Sequence, residues 1–187
     1  MPRTSSPLSI EYVLLGFLDQ EAIHGYDLFK RLNSLESIGM VWSIKQSQLY
    51  ALLEKLEEEN LVQSTIIPGE SRPNRKQYSI TSLGRQTFIA WRNSPMEHGR
   101  EIRIEFLAKL FFAMKAGTET TLELIEDQRS RCIEWMSHMD YTLGNIDQNQ
   151  MYEKAVLQYR ISQMQATIQW LTEMREEIIR KNKPISH

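Results

Sequence analysis

The stretch Lys45-Gln46-Ser47-Gln48-Leu49-Tyr50-Ala51-Leu52-Leu53-Glu54-Lys55-Leu56, together with the residues as far as Ile80, decides the fold. Leu49, Leu52, Leu53 and Leu56 recur at helical spacing, so a helix over about 45–60 turns one narrow leucine face inward. Ser47, Ala51 and Glu54 then lie opposite, with Gln48 and Tyr50 at the flanks. Asn60 suits the C-terminal cap, because Asn tolerates the left-handed backbone needed there. The period then changes. Residues 62–67 and 77–80 are short and rich in β-branched and aromatic side chains. Between them, Pro68-Gly69-Glu70-Ser71-Arg72-Pro73-Asn74-Arg75 is dense in turn formers, which predicts a β-hairpin with a basic tip.

Working outward, residues 9–19 read as a helix buried nearly all round, through Tyr12, Val13, Leu14, Leu15, Phe17 and Leu18. A short connection over 20–24 leads to a second helix, 25–35, striped by Leu28, Phe29, Leu32 and Leu35. Thr81 caps a fourth helix running to Asn93, with Phe88 and Trp91 as its apolar contacts. Three helices, a hairpin and a further helix make a winged helix-turn-helix, whose third helix enters the major groove while the wing reaches neighbouring phosphates or the minor groove. Residues 94–99, with Pro95 and Gly99, are the best domain boundary.

The second half reads as purely helical. A helix over 101–114 carries Ile104, Leu107, Ala108, Leu110 and Phe111, and Gly117 stops it. Thr118 or Thr120 starts a long helix with a heptad seam of Leu122, Ile125, Arg129, Cys132, Met136, Met139, Leu143 and Ile146. After a polar turn over 144–150, Tyr152, Val156, Tyr159, Ile168, Leu171, Met174 and Ile178 continue the pattern, giving an antiparallel helical hairpin. The expected fold is mostly α: a winged helix-turn-helix DNA-binding domain over 1–93 and a helical dimerisation domain over 94–187.

Composition bounds the function. The net charge of −2 hides a local asymmetry: over 61–93, Arg72, Arg75, Lys76, Arg85 and Arg92 face only one acid, Glu70. Phosphate binding depends on where positive charge sits rather than on the total. No apolar run approaches the roughly 18–20 residues of a membrane span, and the first nine residues lack the apolar core of a secretory signal. The lone Cys132 excludes an intramolecular disulfide framework and fits a cytoplasmic protein. There is no Gly-rich phosphate loop, no Cys or His pair at metal spacing and no nucleophile elbow. His24, His98, His138 and His187 share no helical face. Neither an enzyme nor a metal or other cofactor is expected.

The opening of the third helix has the chemistry to read DNA. Gln bonds adenine through both amide groups, Ser suits bases or phosphate, and Lys and Tyr supply phosphate contacts. Glu54 to Glu59 holds four acids and one Lys, so only the first two turns should touch DNA. Such a polar helix start is commonly just solvated, and winged helices also serve as protein-binding modules. The cations Arg72, Arg75 and Lys76 around a Pro-Asn turn suit a phosphate backbone better than a protein groove.

Several of these stretches together resemble one family. Leu14-Leu15-Gly16, His24-Gly25-Tyr26-Asp27-Leu28, Gln48 through Leu56, and Arg72-Pro73-Asn74-Arg75-Lys76-Gln77-Tyr78-Ser79-Ile80-Thr81-Ser82-Leu83-Gly84 look like the PadR family of bacterial transcriptional regulators. The detailed resemblance covers the first half; the second is similar in layout and length to the C-terminal domain of the longer members. The resemblance implies a homodimeric regulator, usually a repressor, whose DNA affinity a small molecule lowers. Carried over by position, Gln46, Ser47 and Gln48 face bases, Lys45 and Tyr50 meet phosphates, and Arg72, Asn74, Arg75 and Lys76 form the wing contacts. Tyr78 and Ile80 are expected to pack the ribbon onto the helices, and Tyr26 to lie in the core.

The helical half carries seams that one hairpin cannot cover, which a homodimer with an isologous interface would do. Two recognition helices about 34 Å apart would then meet a pseudo-palindromic operator in double-stranded DNA. For a small aromatic or hydrophobic effector the candidates are Trp135, Met139 and Trp170, with Met136 and Met174 beside them and His24 and His138 as polar partners. Met and Trp at helical spacing serve equally as core or dimer interface. Cys132 at a heptad position reads as a small buried hydrophobe, with redox sensing as the alternative.

Overall fold

A computed structural model describes residues 9–34, 38–41, 43–68, 74–147 and 149–182. The described chain packs as two compact units. One takes the residues up to Asn93 together with Leu107–Phe112; the other takes Ser94–Phe106 and the residues from Ala113 onward.

In the first unit, helix α1 (Ser9–Gln20) is followed by a short strand β1 (Ile23–His24) and α2 (Gly25–Leu32). Then come α3 (Gln46–Glu58), strands β2 (Val62–Ile67) and β3 (Arg75–Ile80), and α4 (Ser82–Asn93). Val13, Leu14, Leu15, Leu28, Leu49, Leu53, Leu56 and Phe88 form its buried core. Phe112 joins that core from the middle of α5 (Leu107–Ala116), its ring edge-on to Phe88 with centroids 5.2 Å apart. Across α1 and α4, Tyr12 stacks on Trp91 at 5.1 Å and 9°.

Helix α3 ends as its sequence predicts. Asn60 takes φ 58°, the Leu61 amide donates to the Leu56 carbonyl at 2.9 Å, and the Asn60 amide donates to Glu57 at 3.0 Å. This pair of bonds closes the last turn and satisfies carbonyls that would otherwise be orphaned. Thr81 likewise caps α4, its Oγ1 accepting from the Gly84 amide at 3.0 Å.

The ribbon differs from the two-stranded expectation. It is a three-stranded antiparallel sheet in the order β1-β3-β2, with Tyr78 opposite both Ile23 and Ser64. A two-residue strand has no periodicity to read, so nothing in the connection over 20–24 predicts it. Leu52 is another difference: Leu49, Leu53 and Leu56 are fully buried, while Leu52 is only half-buried.

The expected helix over 101–114 is irregular at its start. A 3-10 turn (Gly99–Glu101) and a wide π-type turn (Ile102–Phe106) precede α5. The wide turn buries Ile102 and Phe106 and leaves Ile104 exposed. Gly117 then breaks the chain at φ 132°, a conformation open to glycine and costly for other residues.

In the second unit α6 (Thr118–Gly144) and α7 (Met151–Lys181) form an antiparallel hairpin. Its buried set on α6 is Thr121, Leu124, Ile125, Gln128 and Cys132, so the seam does not follow the predicted heptad. Leu122 and Arg129 are only half-buried, and Arg129 turns to Glu126 at 2.6 Å. The seam's buried polar members are Thr121 and Gln128, and Gln128 accepts from the Met96 amide at 2.7 Å and so holds segment 94–99 to the hairpin.

Candidate nucleic-acid interface

Lys45 precedes the first helical residue of α3, with extended backbone at φ −78° and ψ 149°. Lys45, Gln46, Ser47 and Gln48 are all exposed, while Leu49 behind them is fully buried. A row of polar side chains therefore stands on solvent, backed by a rigid core. The Gln48 Oε1 accepts from the Lys45 amide at 3.2 Å, satisfying one orphan donor of the first turn. Gln48 thus has a capping role besides the base-reading one predicted from its type.

Tyr50 is half-buried and held by α2. A Cβ at position 25 would come within 2.7 Å of the Tyr50 ring, so glycine there permits the close approach of α2 to the recognition helix. Beside this contact opens a cleft of about 330 Å³. His24, Tyr26 and Asp27 from the start of α2, Tyr50 of α3, and Asn74, Arg75 and Lys76 at the base of the wing line it. Asn74 and Arg75 are exposed. Arg72 falls outside the described residues. The cleft brings the start of α2, the recognition helix and the base of the wing around one concave surface.

Tyr26 departs from its expected core position. It is 53% exposed, and the Lys30 ammonium sits 4.6 Å from its ring centroid. With Leu28 and Leu32 on the buried face of α2, Tyr26 lies on the opposite side of the helix, beside the cleft. His24, expected as a polar partner of an effector, has its ring Nδ1 3.4 Å from the Lys76 carbonyl oxygen, next to the wing.

Lys76 is differently placed from Arg75. Its ammonium lies 2.6 Å from the Glu57 carboxylate, whose other oxygen accepts from the Ser64 hydroxyl at 2.5 Å. Burial raises the Glu57 carboxyl, but the hydrogen bonds from Lys76 and Ser64 outweigh it and hold the group below its usual range. The bond to Glu57 in turn raises the Lys76 ammonium. Lys55, on the same end of α3, reaches Glu11 of α1 at 2.7 Å. The charged end of the recognition helix is therefore a set of internal ties as well as a solvated face.

The aromatic candidates of the second unit are half-buried. Trp170 meets Phe106 edge-on at 6.1 Å, and Trp135 lies beside Gly99. Both pack against segment 94–106. Met136, Met139 and Met174 are half-buried, and His138 is exposed. Cys132 is fully buried, and burial pushes its thiol up against the weaker opposing effect of the Gln128 amide, the reverse of what a reactive thiolate needs. Among the described residues no group of three or more His, Cys, Asp or Glu could hold a metal ion. No described helix is long and apolar enough to cross a membrane.

Comparison with known proteins gives a consistent picture. Residues 14–90 match the model of the transcriptional regulator PadR-like family, and residues 102–178 match that of the virulence activator alpha C-terminal region. The negative transcriptional regulator PadR of Bacillus subtilis is 30% identical over 122 residues, 64% of this chain and 64% of that protein. A probable transcriptional regulator of Mycobacterium tuberculosis is 30% identical over 93 residues, 50% of this chain and 48% of that protein. The chain thus spans less than two thirds of the length of either curated relative. Among solved structures, Bacillus subtilis PadR in complex with operator DNA aligns with 93% of this chain and 99% of its own, at 21% identity and a TM-score of 0.48. The matched family and both curated relatives are transcriptional regulators, not enzymes.

Proposed function

We propose, from the premise that this chain belongs to the PadR-like family of transcriptional regulators, that it is a homodimeric, cytoplasmic repressor of transcription that binds a pseudo-palindromic operator. Residues 1–93 bind DNA and residues 94–187 dimerise. The observation that carries the reading is the exposed opening of α3 beside the cleft that Arg75 enters. Gln46, Ser47 and Gln48 meet base edges in the major groove, and Lys45, Tyr50, Asn74 and Arg75 meet the backbone. Arg72 extends the wing contact. Relief by a small aromatic or hydrophobic effector, with Trp135, Met139 and Trp170 as its candidate wall, is the finer part of the proposal.

The test is a fluorescence-anisotropy titration against the protein's own promoter and a scrambled duplex, at several salt concentrations. Salt-sensitive binding that prefers the promoter supports the proposal. A folded dimer that binds neither duplex would transfer the winged helix to a protein partner. Arg75→Ala should reduce the slope of log affinity against log salt by about 0.9, the loss of one phosphate contact. Gln48→Ala should cost on the order of 1–3 kcal/mol at one operator position; an equal loss on both duplexes would leave Gln48 with its capping role alone.

A further inference from the structure

Two adjacent cations on the wing do different work. Arg75 and Lys76 both line the cleft at the base of the wing, but alternation along β3 sends their side chains to opposite faces of the ribbon. Lys76 shares its face with Tyr78, whose ring centroid lies 5.1 Å from the ammonium, and with Ser64 across the sheet. That face looks onto the last turn of α3, where Glu57 stands. From Ser47 to Glu57 is ten residues, roughly 15 Å along the helix axis, so the ammonium is drawn to the end of α3 far from the base-reading turn. Glu57 takes one bond from each strand, the Ser64 hydroxyl on β2 and the Lys76 ammonium on β3. Its side chain is 24% exposed. Releasing Lys76 to a phosphate would leave a partly desolvated carboxylate with only the Ser64 hydroxyl as a partner.

We infer that Glu57 is a positioning residue that clamps both strands of the wing to the recognition helix, and that Lys76 is its anchor rather than a phosphate ligand. This role rests on the DNA-binding function proposed for the chain. The clamp holds the wing at one angle to α3, so that base reading by α3 and phosphate contact by Arg75 occur together. It also removes one cation from the wing's contact with DNA of any sequence. Glu57 therefore favours the operator over random DNA without touching either.

The experiment compares salt slopes and the promoter-to-scrambled affinity ratio for the full chain and its Arg75→Ala, Lys76→Met, Lys76→Arg and Glu57→Gln variants. Lys76→Met is expected to keep the wild-type slope while lowering the ratio, and Lys76→Arg to restore the ratio. Glu57→Gln frees the ammonium, so its slope should steepen by about 0.9 and its affinity for scrambled DNA should rise. A slope flattened by Lys76→Met as much as by Arg75→Ala would overturn the inference, as would Glu57→Gln that leaves both slope and ratio unchanged. A DNA-free arm separates the clamp from the function. In a double-mutant cycle on the urea midpoint, Glu57→Gln and Lys76→Met should be non-additive, and additive shifts would remove the clamp even if the chain binds DNA. If the wild-type chain binds no DNA, the function fails and the cycle alone decides the clamp.

Discussion

The two units close their cores in different ways. In the first, buried residues come from every element, from Ile10 in α1 to Phe112 in α5, and charged pairs join distant parts of the chain: Glu11 with Lys55, Asp19 with Arg85, Glu57 with Lys76. In the second, burial on α6 stops at Cys132 and on α7 begins at Ile161. Toward the turn, Tyr141, Met151, Tyr152 and Tyr159 are 65–81% exposed. Its ion pairs of Arg129 with Glu126, Arg131 with Glu134 and Lys181 with Glu177 each lie within one helix, whereas that of Arg175 with Glu126 crosses between α6 and α7. A layer of two helices can bury one seam but not its outer faces, which need another layer. A second copy of the chain supplies that layer in the proposed homodimer.

The contrast can be broken most directly in the first core. Phe88 is 2% exposed and contacts Trp91 and Phe112, so Phe88→Ala should cost about 3–5 kcal/mol in urea unfolding. A loss below about 1 kcal/mol would mean that this core is not closed as described. Next in size, replacing Tyr152 and Tyr159 by Ser should leave the monomer's stability nearly unchanged and weaken the dimer. If these rings anchor the interface, sedimentation equilibrium should register about 2 kcal/mol for each. An unchanged dissociation constant would place the interface elsewhere. The smallest effect is on pH. The bond from Arg129 holds the Glu126 carboxyl low, as those from Lys76 and Ser64 do for Glu57 against the opposing effect of burial. Groups with lowered folded values stabilise above the ordinary carboxylate value of about 4.5, and the contribution disappears as pH falls through the lowered value. Each exposed tie is worth no more than about 1 kcal/mol. Glu57→Gln and Glu126→Gln should therefore flatten the acid limb of the stability profile, and an identical limb would show that neither tie contributes.

Much of this architecture is legible locally. The leucine spacing of α3, Asn60 at its left-handed end, the Thr81 cap and the glycine break at 117 each depend on a few neighbouring residues. The exposed Lys45 to Gln48 follows from the same periodicity, because burying Leu49, Leu53 and Leu56 turns the first-turn polar residues outward. The features that escape a local reading have partners far away in sequence. Strand β1 exists only because β3 lies beside it, more than fifty residues later. Tyr26 has the character of a packing residue, and only the burial of Leu28 and Leu32 turns it to the other face of α2. On α6 a strict heptad puts Arg129 in the seam, yet a helix of 3.6 residues per turn drifts against a seven-residue repeat. Instead of Arg129 it is Gln128 that is buried, where the Met96 amide needs an acceptor.

By itself, the sequence determined the order of the main helices and the hairpin, the Asn60 and Thr81 caps and the leucine face of α3, because these depend on backbone preferences and periodicity within a few turns. It also determined that basic residues gather at the wing. Only the tertiary structure decided which of those bases pairs with a carboxylate. Arg75 and Lys76 are neighbours of nearly equal chemistry beside one cleft, yet strand alternation and a carboxylate on another helix tie only Lys76 to Glu57. Charge type is a local property, whereas the partner of a charge is set by the packing of distant segments.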